Sequence, residues 1–300
     1  MRSLTVPLCL LGAVLACQAF TAASSGTVWW DIHSCQPEWT ADKIVCSTKL
    51  DHYSAAEPAS ALSPAQRLWE LGQEAMRLGY TDKAIACYRQ SLALDPQFSQ
   101  AHLSLAAAYL EIGDEAGACL HLSRYLAARP DQATVRCHYA ELLYRLHRTQ
   151  ESREQFNRFM ADAQEQSKTT ANALLHCQSR LMEIAEQKDD AYAEHLHRGI
   201  GLLYLARSRA ELCEHPPDLM QESLLCKAAG ELTLAQQERP DEARPCWYLH
   251  EVWSALAQHR LAARWLRHAY DAASFSYLTP AERHLIQLAM FHSSIESTRR

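Results

Sequence analysis

A fixed period of 34 residues constrains this chain more than any other feature. Gly79 and Gly113 are 34 apart, and so are Ala84 and Ala118, and Pro96 and Pro130. A repeat of that length is one helical hairpin, which cannot bury its apolar face alone and must stack on its neighbours. The residue types at the recurring positions suit such a hairpin. Small residues let two antiparallel helices approach closely, the glycine relaxes the turn between them, and the proline stops the second helix. Composition agrees, since 300 residues contain only 9 glycines and 11 prolines while helix formers abound. The expected class is therefore all-α.

With Ala65 as the first position of a unit, Leu71 and Gly72 form the small pair of the first helix and Gly79 falls in the turn. Ala84 then marks the tight crossing, Tyr88 the aromatic position, Ser91 a second small position and Pro96 the exit. Ser63-Pro64-Ala65-Gln66 reads as a capping box with proline at the first helical position. This pattern resembles the tetratricopeptide repeat (TPR) family. The second unit, 99–132, keeps Leu105, Ala106, Tyr109, Gly113, Ala118 and Pro130, and departs at Tyr125. A third unit from Ala133 keeps Tyr139, Ala140, Leu143 and Phe156, with His147 for the glycine and Gln164 for the proline. The resemblance implies a TPR-type solenoid of helical hairpins, wound as a right-handed superhelix. Regular units are expected over 63–166 and degenerate helices over 167–242, where 170–185 and 190–212 break the frame. Ala228, Ala235 and Pro240 restore it. A last unit and capping helix occupy 243–292, with Leu249, Trp253, Ala262, Leu266 and Ala269 in place and a second capping box at Thr279 to Glu282.

The N-terminus reads as a targeting segment. Arg2 precedes an apolar stretch from Leu4 to Ala16, too short to span a bilayer. Val14-Leu15-Ala16-Cys17 resembles a bacterial lipobox, Leu15 being the departure, and would remove 1–16 and place a lipid on Cys17. Cleavage after Ala23 is the rival, removing 1–23. Either route implies export, to the periplasm, to a membrane through the lipid, or as a secreted protein. Residues 24–62 lack a helical stripe. Of the 11 cysteines, setting aside Cys9 and Cys17 leaves nine, an odd number. Cys35 and Cys46 are the first disulfide candidates, a bond worth roughly 3 kcal/mol in the chain-entropy model. Cys213 and Cys226 come second, while Cys87, Cys119, Cys137 and Cys177 read as small buried hydrophobes.

No phosphate loop, G-x-S-x-G, H-E-x-x-H or C-x-x-C occurs, so no catalytic residue, cofactor or metal site is assigned. A net charge of −6 without a polybasic block argues against nucleic acid as partner. Fifteen histidines raise a metal- or cofactor-binding alternative, centred on His195, His197, Cys213 and His215, with Cys246 and His250 one turn apart. The TPR resemblance implies instead a groove lined by positions 2, 5, 9 and 12 of each first helix. These are Gln66, Trp69, Gln73 and Met76, then Gln100, Leu103, Ala107 and Leu110, then Thr134, Cys137, Glu141 and Tyr144. The late unit adds Arg244, Trp247, Glu251 and Ser254. This mixture suits an extended or helical peptide and lacks the Lys and Asn set of a carboxylate clamp. The expected function is a non-catalytic scaffold or adaptor that holds a protein or peptide partner, in envelope or membrane-associated assembly.

Overall fold

A computed structural model describes residues 62–165, 171–212 and 219–298. The expected targeting segment, Cys17, Cys35, Cys46, Cys213 and His215 lie outside the described residues. Among those described there are twelve α-helices and no strand. They are α1 (Pro64–Arg77), α2 (Thr81–Leu94), α3 (Ser99–Glu111), α4 (Glu115–Ala128), α5 (Ala133–Arg145) and α6 (Thr149–Glu165). There follow α7 (Ala171–Gln187), α8 (Ala191–Leu212), α9 (Leu219–Glu238), α10 (Ala243–Ala255), α11 (His259–Ala272) and α12 (Pro280–Thr298). The chain divides into two compact units near residue 163, each with its own core. No described helix is long and apolar enough to cross a membrane.

In the first unit the capping box is present: Gln66 N–H donates to Ser63 Oγ, and Ser63 N–H to Gln66 Oε1. The hairpins close as the repeat demands. A Cβ built on Gly72 would come within 2.6 Å of Tyr88 Cδ1, so only glycine admits the fully buried ring there. Ala84 and Ala118 are fully buried at their crossings, and Ser91 Oγ–H donates to Ala65 C=O at 2.7 Å. Gly79, Gly113 and His147 all adopt positive φ (78°, 78° and 58°). Each sits in a turn where the next N–H reaches five residues back, Tyr80 to Ala75, Asp114 to Tyr109 and Arg148 to Leu143. This is the Schellman closure of a helix C-terminus. His147 thus takes over the glycine's conformation rather than ending the repeat.

A second brace also recurs at 34 residues. The His102 ring bonds the Pro96 carbonyl through Nε2, and the buried Arg136 guanidinium donates to the Pro130 carbonyl. Each ties a first helix to the preceding exit turn. Arg136 Nε also donates to Asp162 at 3.1 Å, joining α5 to α6.

In the second unit the same turn appears at Asp189 and Ala257, with φ of 55° at both and N–H bonds from Asp190 to Ala185 and from Gln258 to Trp253. Helices α7 and α8 therefore form one hairpin, and α10 and α11 another. Helix α12 begins on the expected capping box, with Thr279 N–H donating to Glu282 Oε2 and Glu282 N–H to Thr279 Oγ1. Glu282 is buried, and it also accepts from Arg244 at 2.8 Å and from the Tyr248 hydroxyl at 3.3 Å.

A candidate protein-binding face

The groove-facing positions meet different fates. On α1, Gln66 is exposed and Trp69, Gln73 and Met76 are half-buried. Trp69 Nε1–H and Gln73 Nε2–H both donate to one atom, Ser104 Oγ on α3, at 2.9 and 2.7 Å. Phe98 meets the indole edge-on at a centroid distance of 5.8 Å. The Tyr88 phenol lies beside Ser104 and Gln73, but its oxygen makes no hydrogen bond of good geometry. Burial raises its pKa far above the ordinary tyrosine value. The indole and the amide are thus held by one hydroxyl while part of each faces solvent. The Gln73 amide oxygen accepts no bond from a described residue.

Further along, Leu110 and Tyr144 are half-buried, whereas Leu103 and Glu141 are each only 7% exposed. A peptide cannot reach those two without displacing what covers them. In the second unit Trp247 is 5% exposed and belongs to the core, with its ring tilted against that of His250. Glu251 pairs with Arg207 at 3.0 Å, and Arg244 with Glu282. The late set is therefore structural in its described contacts, because an aromatic anchor must present surface before it can bind.

Sequence reasoning missed a cluster behind the first face. His102 and His121 are buried with their Nδ1 atoms 2.9 Å apart, and Tyr109 stacks on His121. Since His102 gives its Nε2–H to Pro96, its Nδ1 accepts and His121 donates. Burial, then His102, Arg124 and Arg89, push the His121 pKa down to about 4, and burial lowers that of His102. Arg89 donates to Tyr109 Oη at 2.5 Å. The signal was available: His102 and Arg136 each lie six residues after an exit proline.

The described histidines of the metal alternative do not converge. His195 Nδ1 pairs with Glu231 Oε2 on α9, and His197 Nδ1 with Gln178 Oε1 on α7, each at 2.8 Å. His250 Nδ1–H donates to the Ala262 carbonyl, and burial raises the Cys246 thiol pKa to about 11. Among the described residues no three His, Cys, Asp or Glu side chains gather as ligands.

The fold and the face define a class: an all-α protein of stacked helical hairpins carrying a TPR repeat. A TPR repeat model matches residues 72–113, which spans Gly72 through Gly113. Among solved structures the chain is similar to MamA, at 14% identity over 71% of this chain and 96% of that one, with a TM-score of 0.37. It is also similar to PilW, described as a type IV pilus biogenesis factor, at 19% identity over 76% and 100% (TM-score 0.35). PilF of Pseudomonas aeruginosa follows at 18% identity over 75% and 97% (TM-score 0.34). No curated protein matches the chain.

Proposed function

We propose that the chain is a non-catalytic scaffold whose first-unit face, Trp69, Gln73 and Met76 with Leu110 and Tyr144 beyond, holds an extended or helical segment of a partner protein. The observation that carries this reading is the shared bond to Ser104. It orders an indole and an amide in advance, so less side-chain entropy is lost on binding. It also leaves the Gln73 amide oxygen to accept a peptide N–H, flanked by the apolar surface of Trp69 and Met76. Residues 69, 73 and 76 share one helical face, the spacing a peptide in a groove reads. The same reading places the protein in an exported compartment, tethered through a lipid on Cys17 or free after cleavage behind Ala23.

The test is crosslinking capture from the native host with wild type and variants. Trp69→Ala should reduce capture of a specific partner by about tenfold or more, the usual effect of losing an aromatic anchor. Because Trp69 also ties α1 to α3, Gln73→Ala serves as a milder second variant and should reduce capture in the same direction with unchanged circular dichroism. Gln90→Ala, on the exposed side of α2, should leave capture intact. Capture of the same partner at wild-type yield by both Trp69→Ala and Gln73→Ala would overturn the assignment.

A further inference from the structure

The outward side of helix α12 is apolar. Leu285, Leu288 and Phe291 are 42%, 41% and 60% exposed, while Glu282 and Ile286 on the opposite side are buried. Residues three and four apart share a helical face, so His284 and His292, both exposed, flank the same stripe. Arg283 is the only Lys, Arg, Asp or Glu from 283 to 292. Neighbouring α11 is built the other way and turns Arg260, Arg264 and Arg267 to solvent. Beside the first turn of α12 the preceding loop adds two bare aromatic rings, Phe275 at 90% and Tyr277 at 83% exposure. Arg283 Nη1–H holds that loop by donating to the Ala273 carbonyl at 2.9 Å. Contiguous exposed apolar surface of this kind marks an interaction site.

The stripe also reads the same in both directions. From 284 to 292 its pattern is His-Leu-x-x-Leu-x-x-Phe-His, with an apolar residue three places and a histidine four places to either side of Leu288. A twofold axis brings the same patch of two chains together and reverses the order of residues along a helix. A palindromic stripe therefore fits an antiparallel copy of itself. We propose that α12 is a homodimer interface, packed antiparallel on α12 of a second copy with the twofold axis at Leu288. In that register Leu288 meets the partner's Leu288, Leu285 the partner's Phe291, and His284 the partner's His292. Arg283 falls opposite the partner's Ser293, so the pairing sets no two arginines against each other. The five apolar side chains expose roughly 600 Å² per chain, at about 200 Å² for a whole side chain of this size. A standard interface buries about 800 Å² per partner, so the surface suffices for a dimer at the small end of that class, of micromolar order in affinity. It lies wholly in the second unit and uses none of the residues proposed above to hold a partner protein.

The test is sedimentation equilibrium of the full mature chain across a concentration series. The expected result is a monomer–dimer equilibrium that saturates at two copies. Leu288→Glu sets two carboxylates against each other at the axis and should weaken dimerisation by about tenfold or more, the loss expected at the centre of an interface. Circular dichroism should not change, because the site is exposed. Two variants that leave the apolar stripe intact read the register. His284→Glu with His292→Lys opposes unlike charges only in the antiparallel pair and should keep the dimer. His284→Lys with His292→Lys opposes like charges and should weaken it several-fold. A monomer up to on the order of 100 µM, well above a micromolar dissociation constant, overturns the proposal. So does an assembly larger than a dimer, a dimer indifferent to Leu288→Glu, or an equal loss in the two histidine variants.

Discussion

Three buried or half-buried helical glycines should respond to alanine with opposite signs, and the sign follows from the neighbour each faces. In a helix interior Gly→Ala is favourable by about 1 kcal/mol through backbone entropy. At Gly201 the new Cβ would sit 3.6 Å from Gln178 Cβ, an ordinary contact, so Gly201→Ala should keep most of that gain. At Gly72 it would sit 2.6 Å from Tyr88 Cδ1 and 3.0 Å from Cζ, well inside the roughly 3.5–4.0 Å at which carbon atoms attract. The Tyr88 ring is fully buried and cannot retreat freely. Overpacking of this kind costs about 1–3 kcal/mol. Gly72→Ala should therefore end between neutral and about 2 kcal/mol destabilised, and should differ from Gly201→Ala by about 1–3 kcal/mol. Gly199→Ala, whose Cβ would lie 2.7 Å from Leu232 Cγ, should behave like Gly72→Ala. The assay is urea unfolding of the full chain, with hydrogen exchange assigning each transition to its unit. If Gly72→Ala proves as stabilising as Gly201→Ala, the helix pair α1–α2 does not cross as described.

Ala257 holds φ at 55°, so Ala257→Gly should raise the stability of the second unit by roughly 1 kcal/mol, read as a shift in its urea midpoint. Buried His102 and His121 have lowered pKa values, so their contribution is present above the unfolded value near 6.5 and is lost as pH falls towards about 4. The first unit should weaken by on the order of 1–2 kcal/mol over that window after solvent screening, and His121→Gln should flatten the profile. His195 has the opposite sign: its bond to Glu231 raises its pKa, so its contribution is present below pH 6.5 and fades as pH rises through the folded value. Thermal unfolding resolved by unit between about pH 4 and 8 checks both. If the lipobox is used, Cys17→Ser should abolish lipidation and release the protein from membranes, and a wild-type mature mass starting at Ser24 without lipid would refute it.

The repeat was legible because it is written in residues whose size or flexibility is irreplaceable, such as Gly72 under Tyr88. The third unit was harder, since His147 adopts a glycine conformation with no glycine to announce it. What enforces the positive φ there is the Arg148-to-Leu143 bond, and a backbone closure leaves little trace in residue identity. The face was legible only in part. Position numbers predict which way a side chain starts out from its helix, but not what packs over it. Trp69 and Trp247 share a position in the frame, yet one keeps a solvent edge and the other is sealed in a core.

The irregular middle follows from a single helix with two close partners. In α8 the sequence His195-x-His197-x-Gly199-x-Gly201 alternates, and residues two apart on a helix point about 200° apart, to opposite sides. His195 and Gly199 accordingly face α9, through Glu231 and Leu232, while His197 and Gly201 face α7, both against Gln178. Each side thus has one small residue for close approach and one imidazole to bond across the seam. The closing turn at Asp189 makes α8 the second helix of a hairpin with α7. The crossing of Gly199 over Leu232 repeats that of Gly72 over Tyr88, which makes α8 also the first helix of a pair with α9. One helix therefore serves two hairpins, the 34-residue count slips, and the regular frame resumes only at the Pro240 exit before α10. The histidine pattern that suggested a metal is the signature of this two-sided packing, in which paired imidazoles at opposite faces cannot meet on one ion.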